Sequence, residues 1–339
     1  MKKKIIFTVI LLTLVIAGFL GWKFFGPAVS TSQGEYLFIR TGADFADVKN
    51  ELLVKKFIQN GEWFERASQI FRYKKIRAGR YKLQNGMSFY KLVQVLKEGK
   101  QAPVNFVITK MRTKEDLAKR MGNIFEFDSL QAIRFLENND SLKKLGLDTN
   151  TLLTAVIPNT YSFLWNSTPD KVFKRLYSES QKFWTPLRRQ KADSLGLTPQ
   201  QVYILASIVD EETNIFDDKY NIASVYLNRY KKGMKLESCP TIKFAMKNFG
   251  LTRILNKYLE TVSPYNTYRN TGLPPGPICT PQPETIDQVL NAPATDYLYF
   301  AAKSDFKGGT VFATNYNDHL KNAKEYQQAL NKREAANKK

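Results

Sequence analysis

The 339-residue chain reads as an α+β protein: one N-terminal transmembrane helix, then a small domain of mixed helix and strand, then a larger mixed α+β domain. Three observations predict this. Ile5 to Trp22 is an uncharged, mostly apolar run of 18 residues, the length at which a membrane span becomes the first reading. From Tyr36 onward, strand-like and helix-like periods follow one another in both halves of the chain. The length is about twice that of an ordinary single domain.

Lys2, Lys3 and Lys4 precede the apolar run. The positive-inside rule therefore puts residues 1–4 in the cytoplasm, a span over 5–25, and the body outside. Trp22 and Lys23 suit an interfacial anchor on the far side. The expected location is the cell (inner) membrane, single-pass, with an extracytoplasmic body. A cleaved signal peptide is the other reading. Its cleavage site would be Ala28-Val29-Ser30, and Trp22 to Phe25 stand between that site and the apolar run. The first cysteine is Cys239, so no lipid-bearing cysteine follows the segment.

Hydrophobic residues at 43% and charged residues at 24% exclude wholesale disorder and a collagen-like chain. Lys and Arg number 51 against 31 Asp and Glu, an excess of +20 that calls for an anionic partner. The first 26 residues hold four lysines and no acid, so the exported part keeps +16. Outside the cytoplasm the abundant polyanions are lipid headgroups and cell wall, and no arginine-rich or RNA-binding signature points to nucleic acid. Two cysteines and one histidine are too few for a zinc site or a disulfide-dense scaffold. A Ser-His-Asp triad would have to use His319, which reads as structural. No cofactor or metal is expected.

Residues 26–34 are small and polar and read as a tether. A domain over 35–103 follows, in the order strand, helix, helix, strand, helix. Its first strand turns at Thr41-Gly42 into a helix with apolar Phe45, Val48, Leu52, Leu53 and Phe57. Gly79 to Leu83 suits the second strand and Asn85-Gly86 a turn. Ser88 caps a helix carrying Leu92, Val93 and Leu96, which stops at Gly99. The second domain, 104–330, opens on VNFVIT. It contains an aromatic turn and strand over Ile157–Trp165, a helix start at Thr198-Pro199 and a helix from about Asp217 to Gly233. The long Pro- and Gly-rich stretch SPYNTYRNTGLPPGPICTPQPE reads as functional loops. The charged tail, 331–339, reads as frayed.

On the helix from Pro199, Leu205, Ile208 and Val209 form an apolar stripe, and Glu212 is its next position. Asp210 and Glu211 lie around the helix, where they can stay solvated. A carboxyl set against Ile and Leu is desolvated and holds its proton more tightly, which suits a general acid in glycosidic cleavage. The pattern leaves a second reading open: Glu212 in a terminal turn, reaching water or a basic partner.

ILASIVDEET, NIASVYLNRYKKGMKLESCPT, SPYNTYRNTGLPPGPICTP and YLYFAAKSDFKGGTVFATNYNDH occur in this order. Together they resemble the MltG/YceG-like endolytic murein transglycosylases over the whole chain. The resemblance implies a membrane anchor, a LysM-like small domain and a catalytic α+β domain. It also implies a lyase that cleaves the MurNAc–GlcNAc bond inside glycan strands and leaves 1,6-anhydro-MurNAc ends. The family's catalytic glutamate precedes the threonine of this helix and falls on Glu212, the residue the stripe selects. The chain departs from the family at Leu153-Thr154, where many members have Glu-Gly, at Asn159 in Pro158-Asn159-Thr160-Tyr161, and at Cys239, usually an aspartate. The loss of three acids leaves a one-acid mechanism, with Glu212 as general acid and then base.

For substrate contact the sequence offers Tyr265, Asn266, Thr267 and Tyr268, then Glu237 and Thr241; the other reading is a loop knitted by its own side chains. Asn228 and Arg229 read as ties between helix and neighbours. Cys239 and Cys279 fall in loops near the site and read as two free thiols, with a disulfide as the alternative. The expected partners are peptidoglycan glycan strands and the membrane, with peptidoglycan synthases as candidate partner proteins. A catalytically silent glycan-binding scaffold and a hydrolytic muramidase are the competing readings.

Overall fold

The structure is a computed structural model describing residues 2–251 and 254–337. Met1 of the N-terminal tail and Lys338 and Lys339 of the charged tail lie outside the described residues. The chain divides into two compact units, and the division is not the single cut expected near Pro103. Unit 1 comprises residues 1–106, 123–128 and 162–168, and unit 2 the remainder.

In unit 1, α1 (Lys2–Phe25) buries none of its residues and is long and apolar enough to cross a membrane. Strand β1 (Tyr36–Ile39) pairs antiparallel with β2 (Gly79–Lys82), Leu37 opposite Tyr81. Its burial alternates out and in, so Leu37 and Ile39 face α2 (Phe45–Val54), α3 (Gly61–Ile70) and α4 (Phe89–Glu98). Each helix start is marked by a side-chain cap. Asp44 makes a reciprocal box with Asp47, Asn60 accepts from the Trp63 amide, and Ser88 accepts from the Lys91 amide. Gly99 ends α4 at φ +69°, a conformation that glycine adopts without penalty. Val48, Leu52, Phe57, Leu92, Val93 and Leu96 are buried together. Two later segments join the unit: Glu126 accepts from the Thr41 amide and hydroxyl, both at 2.6 Å, and Trp165 meets Phe38 edge-on.

Residues 26–34 are not a free tether. The Ala28 and Val29 amides donate to the Met87 carbonyl, Gly86 donates to Val29, Ser30 donates to Phe57, and Val29 bridges Ile58. Small polar composition suggested slack, but Val29 is a core residue and the backbone polar groups around it are satisfied by the domain.

Strand β3 (Val104–Ile108) pairs with β4 (Asn159–Phe163). Between them run α5 (Lys114–Ile124), α6 (Ser129–Leu136), α7 (Asn139–Lys143) and a 3-10 turn at Leu152–Ala155. The remainder of unit 2 is mainly helical: α8 (Pro169–Phe183), α9 (Pro186–Ser194), α10 (Pro199–Glu212), α11 (Phe216–Lys231), α12 (Cys239–Ala245), α13 (Asn256–Leu259) and α14 (Pro283–Leu290). A hairpin of β5 (Tyr299–Ala302) and β6 (Thr310–Ala313) precedes α15 (Tyr316–Asn337). The last helix runs through most of the expected frayed tail, where Lys332 to Ala336 are all good helix formers.

Helix α10 is the axis of this unit. Thr198 caps it reciprocally with Gln201, and Pro199 occupies its first turn. From Val202 to Asp210 nine successive residues are buried, so the helix is enclosed on every side. α9, α11, α12 and α14 pack around it, and its core partners include Tyr226, Leu236, Ile278, Ile286 and Val289.

Candidate active site

Glu212 is the last residue of α10, so it is a helix-end residue as well as a member of the stripe. Its side chain turns inward. Oε1 accepts from the Tyr226 hydroxyl at 2.5 Å and from the Ser238 hydroxyl at 2.7 Å. Among the described residues Oε2 has no hydrogen-bond partner, and the residue is partly exposed. Burial pushes the Glu212 carboxyl up from its ordinary range. The Tyr226 and Ser238 hydroxyls and the nearby Lys243 charge moderate the rise, and Glu211 adds to it. Tyr226 is itself held far above the usual phenol range, by burial first and then by the carboxylate it serves, so it stays a donor.

Ser238 is fixed by a closed circuit. Its amide donates to the Thr267 hydroxyl, which pairs with the Thr241 hydroxyl at 2.8 Å, and Thr241 donates back to the Ser238 carbonyl at 2.6 Å. One proton per hydroxyl is enough to satisfy every link. The preceding residue, Glu237, has φ +54°, an uncommon conformation for a side-chain-bearing residue. It is held there by its amide bond to the Thr267 carbonyl and by Arg229 on its carboxylate. The strained turn delivers Ser238 to Glu212.

Asp210 and Glu211 are not solvated. The Asp210 side chain is only 1% exposed. Its Oδ1 accepts from Lys219 and Thr285, each at 2.6 Å, and its Oδ2 faces the Lys110 ammonium at 2.7 Å as an ion pair without hydrogen-bond alignment. Burial alone would raise this carboxyl, but Lys110, Lys219 and Thr285 outweigh it and hold it below the ordinary range. Lys110 also donates to the Asp210 carbonyl, closing the C-terminal end of α10. Glu211 is taken by Arg112, through bonds of 3.1 and 2.9 Å, and by Lys110. All three neighbouring acids, Asp210, Glu211 and Glu237, are therefore paired with cations. Among the described residues, the donors to Glu212 are both hydroxyls.

A sequence model of the YceG-like family matches residues 37–325. The chain belongs to the YceG-like family. Over 273 aligned positions it is 30% identical to the endolytic murein transglycosylase of Bacillus subtilis, covering 76% of this chain and 75% of that one. It is 26% identical over 356 aligned positions to the endolytic murein transglycosylase of Streptococcus pneumoniae D39, covering 94% of this chain. It spans 64% of that relative's length. The crystal structure of a YceG-like protein from Listeria monocytogenes superposes with a TM-score of 0.57 at 24% identity, covering 84% of this chain and 97% of that one, and shows a shared fold.

Within this YceG-like chain the substrate residues expected from sequence separate into two groups. Asn266, Thr267 and Thr241 are buried and engaged. Asn266 donates to the Leu259 and Thr261 carbonyls and accepts from the Tyr268 amide, so these three knit the loop rather than present themselves to a ligand. Tyr268, Tyr265 and Glu237 retain exposure. The Tyr268 hydroxyl lies 3.2 Å from the Cys239 thiol, in the field of Glu212. The Tyr265 ring packs on Phe244, 4.6 Å between centroids, and burial pushes its phenol up to about 12. Asn228 donates to the Thr295 and Tyr297 carbonyls, and Arg229 reaches Leu298, Lys235 and Leu236, so both tie α11 to its neighbours. Cys239 opens a short helix instead of lying in a loop. Both thiols are free, Cys279 buried against the Ser207 carbonyl.

The sequence reading missed Tyr226 and Ser238. Tyr226 had a signal: it sits four residues after Ile222 on the buried face of α11, a polar tip where a core residue is due. Ser238 had none beyond its neighbour Cys239.

Proposed function

We propose that the chain is a membrane-anchored peptidoglycan lytic transglycosylase, a lyase that cuts the MurNAc–GlcNAc bond within glycan strands and leaves 1,6-anhydro-MurNAc ends. The observation that carries the reading is the Glu212 carboxyl: raised in pKa, with one oxygen accepting from two hydroxyls and the other without a hydrogen bond among the described residues. Because Oε1 already accepts two bonds, the proton of the acid form belongs on Oε2, the oxygen with room for a ligand.

Glu212 first gives this proton to the glycosidic oxygen as the C1–O bond of MurNAc breaks. The carboxylate left behind is stabilised by Tyr226 and Ser238 while oxocarbenium-like charge develops on the sugar. It then takes the proton of the substrate's own C6 hydroxyl as O6 closes on C1. The proton is returned, no water is consumed, and one carboxyl suffices. The pairing of Asp210, Glu211 and Glu237 with cations supports a one-acid cycle over hydrolysis by two carboxylates. Tyr268 and Tyr265 offer ring faces for sugars, and Glu237 an edge contact for substrate.

The same reading makes α1 a retained anchor with the N-terminus in the cytoplasm, since the helix is long and apolar enough to cross a membrane and opens on three lysines. Residues 35–103 are read as a LysM-like domain that holds glycan, and residues 104–330 as the catalytic domain. A cleft of about 810 Å³ in unit 1, lined by Phe38, Arg40, Asn50, Glu51 and Trp165, supports the holding role. Synthases of the same wall are the partner proteins that suit a membrane-held enzyme acting on nascent strands.

The test is Glu212→Gln on purified sacculi. The near-isosteric change removes only the transferable proton, so cleavage should fall to background while melting is unchanged. Cleavage retained at a tenth or more of the parental rate, roughly 1.4 kcal/mol of barrier or less, would refute the assignment.

A further inference from the structure

The absence of slack between α1 and the rest of unit 1 bears on where a membrane would meet the small domain. The last turns of α1 pack on α3 and α4 through rings. Phe19 and Phe24 meet Trp63 at 6.2 and 5.6 Å, Phe24 and Phe25 meet Phe71, and Phe25 meets Tyr90 at 5.3 Å. The Lys23 ammonium lies over the Phe19 and Trp63 rings, and the Arg66 guanidinium lies 5.0 Å from the Trp63 ring centre.

A hydrocarbon core about 30 Å thick that begins at Ile5, just past the three lysines, takes roughly 20 helical residues. Phe19 is then about 21 Å along the span, some 9 Å short of the far boundary. Trp63 is 6.2 Å from it. Even if that whole separation ran outward along the membrane normal, Trp63 would stop short of the boundary, and tilting α1 draws it further in. Helix α3 presents Trp63, Arg66 and Ile70 at helical spacing, and Ile70 is 57% exposed, as are Trp22 and Phe25 at 67% and 62%. A tryptophan, an arginine and an isoleucine on one exposed face suit a helix lying in the interface, rings and aliphatic chain inward and guanidinium at the phosphates.

We infer that the α3 face of unit 1 is a lipid-contact surface, seated in the headgroup and upper acyl region of the extracytoplasmic leaflet. This rests on the anchoring reading of α1. It makes the small domain a membrane-lying collar around the emerging anchor, with its height above the bilayer set by the ring cluster.

The test uses the full chain in vesicles of phosphatidylcholine and phosphatidylglycerol whose acyl chains carry bromine either near the headgroup or near the methyl end. Bromine quenches tryptophan only in contact range, so Trp63→Phe and Trp22→Phe, both conservative and near the surface, report the two positions by difference. Trp63→Phe should remove a quenchable component that headgroup-proximal bromine quenches roughly twofold more than the deep one. If Trp63→Phe leaves the quenched fraction at the parental value while Trp22→Phe lowers it, the anchor stands and the lipid-contact face is refuted. If neither change lowers it, the anchoring reading fails and this inference fails with it.

Discussion

In the proposed cycle Glu212 works through the asymmetry of its two oxygens. Tyr226 and Ser238 favour the carboxylate, while burial favours the acid and wins. Removing one donor therefore moves the balance further toward the acid. Tyr226→Phe should lower kcat by about 10- to 100-fold, the worth of a hydrogen bond to a charged group. It should also move the alkaline limb of the rate profile to higher pH, because Glu212 then keeps its proton longer. A lower rate with an unmoved limb would place Tyr226 in packing alone. Asp210 has the opposite electrostatics. Its carboxyl is depressed, so its stabilisation is complete above the unfolded carboxyl range, near pH 4, and is lost as pH falls through the depressed native value. Asp210→Asn takes from Lys219 its acid partner and leaves Lys110 with Glu211 alone, and should cost on the order of 3 kcal/mol near neutrality. That gap should shrink in acid, as urea titrations at several pH values would record. A gap that widened as pH fell would contradict the buried ion-pair role. Asp210 was expected to be a harmless surface acid. Only Ser207 interrupts the apolar run from Val202 to Val209, so the sequence did contain the warning: a helix with no polar face has no solvated side for an acid.

Among the elements, those with local caps were legible and those defined by long-range contacts were not. The Thr198-Pro199 start of α10 is written in neighbouring residues and appears in the structure with a reciprocal Gln201 bond. Thr198→Ala should cost about 1 kcal/mol of unfolding free energy, and unchanged denaturant midpoints would show that packing alone fixes the helix start. The segment 26–34 was illegible for the converse reason. Its order comes from Met87, Phe57 and Ile58, far along the chain, and no local signal announces those bonds. The same holds for the Ser238–Thr267–Thr241 circuit, which draws on residues 26 to 29 positions apart. Asn266, Thr267 and Thr241 looked like ligands for a sugar because their polar groups suit either use; which use they have depends on partners that only the fold brings near.

For the whole molecule, the apolar run gave a helix long and apolar enough to cross a membrane, and motif order gave the family. Apolar stripe and family resemblance converged on one carboxyl, and the fold supplies what neither could: two donors on one of its oxygens and cations on the three acids beside it. That arrangement predicts transglycosylation rather than hydrolysis, and the two reactions differ by one water in the product. The most direct measurement is the mass of the new MurNAc ends released from defined, uncrosslinked glycan strands by the detergent-solubilised full chain. Ends lighter by one water than a reducing sugar, formed with intact Glu212 and absent with Glu212→Gln, are the expected result. Reducing ends of full mass, made by the same chain and dependent on the same residue, would contradict the one-acid cycle.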